Sequence, residues 1–470
     1  MHPSLQTDRA LATPLHRQLY HRFRDAIAAG RFRPGDRVPS IRSLASALNL
    51  SRGTVELAYQ TLISEGYLLT RGAAGTVVSP ALIAARIAPA HWDESTPAGQ
   101  ASTVAERSPS PFQLGLPALD AVPTRLWQRL MTRQLKASTP ATLAYPDPQG
   151  HYALRHALAA YLGVSRGIDC SPDQIIITGG YCEALRIICC TVLRSGDHGW
   201  FEEPGYFKAR NALRAAGVIP VPVAVDEDGL DVTAGRRQAP QARFAVVTPS
   251  HQSPTGVSLA LARRLALLAW ANDNDAWIIE DDYDSEYRYQ GRPLPALKSL
   301  DRDGRVLYAG TFSKVLFPGL RLAYLVVPPS QVARFRRTLD DAGHGCPQLP
   351  QAALADFMAE GHFARHLKRM RSLYAQRRGY LIQALATRLS DRLHVEPQAG
   401  GMHLLARPKG HRSDIDMADR ARRHGLALQA LSAWFDGPSC ACGLLLGFTN
   451  IASQAEADCW VDELKTALDG

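Results

Sequence analysis

Lys314 is the residue of this 470-residue chain best placed for covalent chemistry. It is one of only seven lysines, and it ends a Gly-Thr-Phe-Ser-Lys segment that follows the apolar, strand-like residues 306–308. A lysine at the exit of a strand can form a Schiff base with an aldehyde. Thr311, Ser313 and Arg321, which lies seven residues further on, could bind a phosphate attached to that aldehyde.

A second candidate site is the Thr-Gly-Gly-Tyr segment that ends at Tyr181. An apolar strand pattern runs into Gly179 and Gly180, and a helical pattern follows. The free N–H groups and positive dipole end of such a helix can hold a phosphate. Two adjacent glycines are weak evidence alone, because a close strand-to-helix turn has the same composition.

Two further groups could contact a flat heterocycle. Tyr206 follows a Glu-Pro-Gly turn, where its ring could cover such a ligand, although a tyrosine of the core is equally consistent. Five carboxylates lie between Glu280 and Glu286 at the end of an apolar strand. They could be metal ligands or a solvated loop, but one of them could also hold a proton on a ring nitrogen.

In chain order these features resemble a fold-type I pyridoxal 5′-phosphate (PLP) aminotransferase. The resemblance implies a cofactor site formed by ten residues: Gly180, Tyr181, Tyr206, Asp281, Tyr283, Thr311, Ser313, Lys314, Arg321 and Tyr145. In it, Asp281 would pair with the ring nitrogen, Tyr283 would contact O3′ and Lys314 would form the Schiff base. Tyr206 would stack on the ring, and Gly180, Tyr181 and Arg321 would bind the phosphate. Tyr145 would reach across a dimer interface into the site of the other subunit.

The sequence departs from the aminotransferase pattern at two places. Ser253 stands where these enzymes usually have an asparagine that bonds O3′. The strand that usually carries the arginine for the substrate carboxylate matches residues 444–449, and no arginine follows Arg423. An amino acid would lose a charged contact of ~1.5–3 kcal/mol. Asn450 or Trp434 could face the pocket, but neither is cationic.

The elements that must position these residues follow an α/β rhythm. Five apolar, strand-like runs alternate with longer helical patterns after residue 112: residues 174–177, 244–248, 276–280, 306–308 and 323–327. This pattern predicts a largely parallel sheet. Ligands of such sheets bind beyond the strand ends, where the polar residues cluster.

The first 80 residues are of a different kind. They hold ten arginines, no lysine and five acids, and so carry +5 of the net charge of +9. A helix, a helix-turn-helix and a two-stranded hairpin are predicted in that order, which is a winged helix-turn-helix. A small helical domain without a nucleic-acid role is the alternative, but the basic charge favours DNA.

This head resembles the DNA-binding domain of the GntR family of bacterial regulators over residues 30–68, GRFRPGDRVPSIRSLASALNLSRGTVELAYQTLISEGYL. The resemblance implies that five residues contact phosphates and base edges, the last of them in the minor groove: Arg42, Ser51, Arg52, Thr54 and Arg71.

The whole chain resembles the MocR subfamily of these regulators, in which a GntR-type head is fused to an aminotransferase-like body. Residues 248–252 and 280–284 carry motifs typical of that group. We therefore expect a multidomain α/β protein: a winged helix-turn-helix over 1–80, a linker over 81–111 and a fold-type I aminotransferase-like domain over 112–470. The resemblance also implies a homodimer that binds paired half-sites on double-stranded DNA.

Composition limits the other possibilities. At 46% apolar and 21% charged residues the chain is an ordinary globular protein. Its eight cysteines have neither zinc-finger nor disulfide spacing, so no metal site is predicted. The N-terminus lacks the apolar core of a signal peptide and no run of ~18 apolar residues occurs, which predicts a cytoplasmic protein without a membrane segment.

Two functions remain open from the sequence. The first is a transcription regulator whose PLP domain senses PLP itself, or a small amine or amino acid, through Lys314; the missing arginine favours PLP or a ligand without an α-carboxylate. The second is a working aminotransferase with a DNA-binding head. Enzyme activity is therefore undecided. A scaffold without cofactor is disfavoured by Lys314.

Overall fold

The computed structural model describes residues 5–9, 11, 13–72, 75–83, 109–291, 294–396, 398–410, 413–437 and 441–469. They divide into two compact units, one within residues 1–105 and one within residues 106–470. Most of the predicted linker, residues 81–111, lies outside the described residues.

The first unit is the predicted helical head with its hairpin. Its elements are α1 (Leu15–Ala28), α2 (Ile41–Leu48), α3 (Arg52–Ser64), β1 (Leu68–Thr70) and β2 (Thr76–Val78). The two strands are antiparallel, with Leu69 opposite Val77. Phe23 of α1 and Tyr59 of α3 meet edge to face in the core, with ring centroids 5.4 Å apart.

Local side-chain bonds define the starts of α2 and α3. Ser40 caps α2 by accepting the N–H of Ser43, and Ser51 caps α3 by accepting the N–H of Thr54, each at 3.1 Å. Asn49, between the helices, has a left-handed backbone with φ 53°. Each cap stabilises its helix by about 1 kcal/mol, so the turn of the helix-turn-helix follows from residues that the sequence shows directly.

The second unit is built on an eight-stranded sheet. Its strands are β3 (Ile175–Thr178), β4 (His198–Glu203), β5 (Ile219–Asp226), β6 (Gly229–Leu230), β7 (Phe244–Val247), β8 (Trp277–Asp282), β9 (Val306–Thr311) and β10 (Ala323–Val326). The order across the sheet is β3-β10-β9-β8-β7-β4-β5-β6. The five strands from β9 to β5 are parallel, whereas β10 and β6 run antiparallel to their neighbours.

Helices and a smaller sheet complete this unit. The helices are α4 (Thr124–Lys136), α5 (Tyr152–Arg166), α6 (Tyr181–Val192), α7 (Phe207–Ala215), α8 (Val232–Gln238), α9 (Leu261–Asp273), α10 (Val332–Asp341), α11 (Gln348–Ala359), α12 (His362–Arg388), α13 (Asp414–Arg423) and α14 (Gln454–Asp469). The smaller sheet has the order β11-β12-β14-β13, with β11 (Leu393–Val395), β12 (His403–Pro408), β13 (Gln429–Ala430) and β14 (Leu444–Gly447).

The predicted strands are all present in the central sheet, because their apolar runs are buried on both faces. The strand β8 extends two residues further than its apolar run, through Asp281 and Asp282, and both carboxylates are buried. The described helices include none that is long and apolar enough to cross a membrane.

Candidate functional site

The half-buried Lys314 lies just beyond the end of β9. Its Nζ donates a hydrogen bond to the backbone carbonyl of Gly115 at 2.5 Å. Burial lowers the pKa of Lys314, although the carboxylates of Asp284 and Asp281 act in the opposite direction. A lowered pKa increases the fraction of neutral amine, which is the form that attacks an aldehyde.

The acidic residues Glu280 and Asp282, at the end of β8, are neither part of a solvated loop nor free ligands. Asp282 forms a buried ion pair with Arg166 at 2.6 Å. Glu280 accepts the backbone N–H groups of Leu297 and Lys298, each at 2.8 Å, and burial raises its pKa to about 7. These two carboxylates fix the end of β8 from the side opposite to the intervening residue, since side chains alternate along a strand.

Asp281, the intervening residue, differs from both neighbours. It is buried, and no lysine or arginine forms an ion pair with it in the part of the chain that the structure describes. Burial raises its pKa well above the usual range, and the Tyr181 hydroxyl beside it lowers that pKa in part. A buried carboxylate without a cation is costly, so this position suits a ligand that supplies a positive charge.

Gly180 and Arg321 come together at the start of α6. Gly180 precedes the helix with φ 138°, and a Cβ placed there would lie 2.9 Å from the Arg321 guanidinium. Arg321 itself has a left-handed backbone with φ 51°. It is exposed and forms no ion pair among the described residues. A helix start next to a free guanidinium is an anion site.

Thr311 is the last residue of β9, and Ser313 follows it in the loop that carries the lysine. The Thr311 hydroxyl accepts the N–H of Ser313 at 3.1 Å, and both residues are partly exposed. Both hydroxyl groups therefore lie within three residues of Lys314 in the chain.

Tyr206 lies on the other side of the site, at the start of α7. Its ring is 6.1 Å from that of Trp434, and burial raises its pKa to about 12. The Trp434 indole donates to Gln429. The other residue expected to face the pocket, Asn450, instead accepts the backbone N–H of Leu119.

Tyr283 belongs to a small hydrogen-bonded group that the sequence did not reveal. Its hydroxyl is 3.0 Å from Nδ1 of His251, which is also 3.1 Å from an Asp284 oxygen. Burial raises the pKa of Tyr283, and a hydrogen bond with the Ser253 side chain lowers it. Ser253 therefore reaches Tyr283, although it is shorter than the asparagine it replaces. His251 lies in the 248–252 motif. The sequence therefore indicated this segment, but it did not indicate what His251 contacts.

Glu202 and Gln252 are two further residues at this edge to which sequence analysis assigned no role, although Gln252 belongs to the same 248–252 motif as His251. The buried Glu202 carboxylate accepts the hydroxyl of Thr248 at 2.5 Å and the amide of Gln252 at 3.2 Å. Burial raises its pKa to about 7. Lys208, an exposed residue of α7, is the cation whose charge lowers the pKa of Lys314.

Tyr145 lies apart from the other candidates. It is fully exposed, and Leu135, Leu143 and Tyr152, which lie near it in the sequence, are exposed as well. The single chain does not place it at Lys314.

The candidate DNA-binding residues all lie on the head. Arg42 and Arg52 are exposed near the starts of α2 and α3, and Arg71 is exposed at the end of the hairpin strand. Ser51 and Thr54 bond each other through their hydroxyl groups at 2.7 Å. The three arginines form no ion pair within the described head. Two residues of the predicted hairpin tip, Ala73 and Ala74, lie outside the described residues.

Comparison with known proteins agrees with this division. The family of bacterial regulatory proteins called gntR matches residues 15–78, and the family aminotransferase class I and II matches residues 117–432. The probable rhizopine catabolism regulatory protein MocR of Rhizobium meliloti is 39% identical over 457 residues, 95% of this chain and 92% of its own length. The pyridoxine biosynthesis transcriptional regulator PdxR of Corynebacterium glutamicum is 36% identical over 93% of this chain and 92% of its own.

Solved aminotransferases share the fold of the second unit. The kynurenine aminotransferase of Pyrococcus horikoshii has a TM-score of 0.69 and 25% identity, covering 77% of this chain and 92% of its own. The α-aminoadipate aminotransferase LysN of Thermus thermophilus has a TM-score of 0.68 and 27% identity, covering 76% and 92%. Proteins of this fold are in general PLP-dependent. The chain belongs to the MocR subfamily of GntR-type transcription regulators, with a winged helix-turn-helix head and a fold-type I aminotransferase-like body.

Proposed function

We propose that this regulator binds PLP at Lys314 and uses occupancy of that site as the signal that changes its affinity for DNA. The observation that carries the proposal is the pairing of a half-buried lysine of lowered pKa with a buried carboxyl group that has no cation among the described residues. Lys314 supplies the amine, and a cationic ring nitrogen beside Asp281 would favour the ionised form of its carboxyl group.

The remaining residues fit the parts of PLP. Its phosphate matches the start of α6 with Arg321, Thr311 and Ser313, and its ring nitrogen matches Asp281. A Cβ at Gly115 would lie 2.7 Å from the Lys314 amine and would clash with it, so only glycine at this position avoids the clash. When bound, PLP supplies an aldehyde that condenses with amines. Gly180, Tyr181, Tyr206 and Tyr283 would hold it in place.

The signal is PLP itself or a small amine that reacts at the same site. The sequence after Arg423 offers no arginine for an α-carboxylate, which favours PLP or a ligand without that group. The relative named for pyridoxine biosynthesis supports a signal connected with vitamin B6.

We propose further that the working form is a homodimer that binds paired half-sites. The exposure of Tyr145 and of the apolar residues near it in the sequence supports it, because exposed apolar surface on a single chain is typical of interfaces when it is contiguous. Arg42, Ser51, Arg52, Thr54 and Arg71 would contact each half-site. A ligand changes DNA affinity only by its preference for one of two states, typically 1–3 kcal/mol.

The test is covalent labelling of the full-length protein. We expect PLP followed by borohydride to add one stable label per chain, and peptide mapping to place it on Lys314. Lys314→Ala should remove the label, whereas the exposed control Lys465→Ala should keep it. A label distributed over several lysines, or retained by Lys314→Ala, would refute the proposed site. Sustained turnover of an amino donor and a keto acid would instead favour an aminotransferase.

A further inference from the structure

Three potential metal ligands meet near the first turn of α6, and none of them is among the residues assigned to PLP. They are Glu183, in the first turn of α6, and His344 and Cys346, in the segment before α11. One ligand atom from each, a carboxylate oxygen, an imidazole nitrogen and a sulfur, lies within 4.8 Å of the other two. Nδ1 of His344 is 3.3 Å from a Glu183 oxygen.

Backbone contacts orient two of these side chains. Nε2 of His344 is 3.3 Å from the carbonyl oxygen of Ile177, and a proton donated there leaves the lone pair of Nδ1 directed at the cluster. One oxygen of Glu183 accepts the N–H of Gly179, and the other faces His344. The sulfur of Cys346 is 3.8 Å from the same Ile177 carbonyl. The three groups therefore converge on one point beside the turn between β3 and α6.

The donor set selects the ion. A thiolate, an imidazole and a carboxylate together suit zinc, whose sites with three protein ligands keep a fourth position for water. The thiolate and the carboxylate would balance its charge. His344 and Cys346 are buried, whereas the Glu183 side chain is 30% exposed and gives access from solvent.

Two cations compete for this place. Hydrogen bonds with Cys346 and Glu183 raise the pKa of His344 to about 10, so a metal ion must displace the proton on its Nδ1. The Arg186 guanidinium is 3.8 Å from a Glu183 oxygen, but its side chain is 53% exposed and can turn towards solvent. An exposed ion pair of this kind contributes little to stability, so its loss does not oppose binding strongly.

We propose that Glu183, His344 and Cys346 bind one Zn²⁺ ion per chain. Because Glu183 also accepts the N–H of Gly179, the ion would stabilise the turn between β3 and α6. The ligands are separated by 161 residues of sequence, so cysteine spacing could not reveal them.

The test uses the full-length, PLP-free protein under a phosphine reductant. Zn²⁺ is titrated in competition with a chromophoric chelator, and Co²⁺ is added in parallel for its absorption spectrum. We expect one tightly bound ion per chain, and a cobalt spectrum with a thiolate charge-transfer band and the intense visible bands of a tetrahedral site. No binding beyond the chelator, or a cobalt spectrum without the thiolate band, would overturn the proposal.

Variants then identify the ligands. Cys346→Ser and Glu183→Gln should each weaken zinc by more than about 100-fold, since even indirect contacts to a metal are worth 10–100-fold. Cys459→Ser, which changes an exposed cysteine on α14, should bind as the unmodified protein does. If Cys346→Ser fails to fold, the zinc affinity of Glu183→Gln still tests whether this cluster is the zinc site. Equal affinity in Glu183→Gln and Cys459→Ser would refute the assignment.

Discussion

The amine of Lys314 is hydrogen-bonded to the carbonyl of Gly115, a residue 199 positions earlier in the chain. Gly115 has φ 69°, and a Cβ there would lie 2.7 Å from the amine. The segment before α4 therefore forms one wall of the lysine pocket, and only a residue without a side chain fits that wall.

Gly115→Ala tests this wall. We expect loss of about 1 kcal/mol of stability from the left-handed backbone, and PLP affinity lower by up to about tenfold because the amine is displaced from its hydrogen bond. Gly196→Ala is the matched control, since Gly196 has φ 87° and nothing within 4 Å of its Cβ. It should lose stability but bind PLP normally. Equal PLP affinity in the two variants would contradict the role of Gly115.

Asp281→Asn should separate binding from stability. Without PLP the variant should unfold at the same or a higher temperature, because a buried carboxylate without a cation is removed. Its PLP affinity should fall by about 1.5–3 kcal/mol, the value of a charged hydrogen bond. Thermal unfolding measures the stability of the PLP-free variant, and PLP titration measures its affinity.

The neighbouring Asp282→Asn is the control for that experiment. It breaks the buried pair with Arg166 and should destabilise the protein by about 3–5 kcal/mol. If Asp281→Asn destabilised the PLP-free protein as strongly, Asp281 would be a structural residue.

Arg52→Ala should weaken specific DNA binding. Loss of a contact from the start of α3 is expected to cost about 1–3 kcal/mol. Fluorescence anisotropy on the upstream region of the chain's own gene measures the effect. The exposed Arg31→Ala has the same charge change outside α3 and should have a smaller effect. An equal loss in both variants would indicate a general charge effect only.

His403 gives a prediction for pH. Burial lowers its pKa to about 4, and its Nε2 is 2.9 Å from the carbonyl of Pro254. As pH falls below the ordinary pKa of histidine, His403 gains a proton in the unfolded chain but not in the folded chain, so the free energy of unfolding decreases. This loss is about 2 kcal/mol at about pH 5. His403→Gln keeps a donor to Pro254 but does not titrate.

Urea unfolding at about pH 7 and about pH 5 measures this effect. Glu202, Glu280 and Glu286, whose pKa values burial raises to about 7, stabilise the folded chain as pH falls and act in the same way in every variant. The His403 effect is therefore a difference between variants: on going from about pH 7 to about pH 5, the unfolding free energy of the unmodified protein should change by about 2 kcal/mol less favourably than that of His403→Gln. The exposed His156→Gln should behave as the unmodified protein. Equal changes in all three would show that His403 is not held neutral.

Much of this arrangement follows from sequence because its signals are local. The caps Ser40 and Ser51 define the helix-turn-helix, and the apolar runs define the buried strands. Lys314 follows its strand directly, so its position at the sheet edge was predictable. The GntR and aminotransferase relationships that these patterns indicated are confirmed by the family matches.

Contacts between distant segments could not be predicted. Nothing local distinguishes Gly115 from other glycines, and its role appears only when the chain places it at Lys314. The roles of Glu280 and Asp282 depend on partners elsewhere in the chain, at Leu297 and Arg166. From composition alone, these carboxylates could be metal ligands or part of a solvated loop.

The most direct test of the central claim is DNA affinity with and without PLP. Anisotropy is measured on specific and nonspecific DNA at two salt concentrations, for protein loaded with PLP, protein stripped of it, and Lys314→Ala. The account predicts a severalfold change in specific affinity with PLP, no change for nonspecific DNA, and no response in Lys314→Ala. Equal specific affinity in the loaded and stripped forms would contradict PLP as the signal.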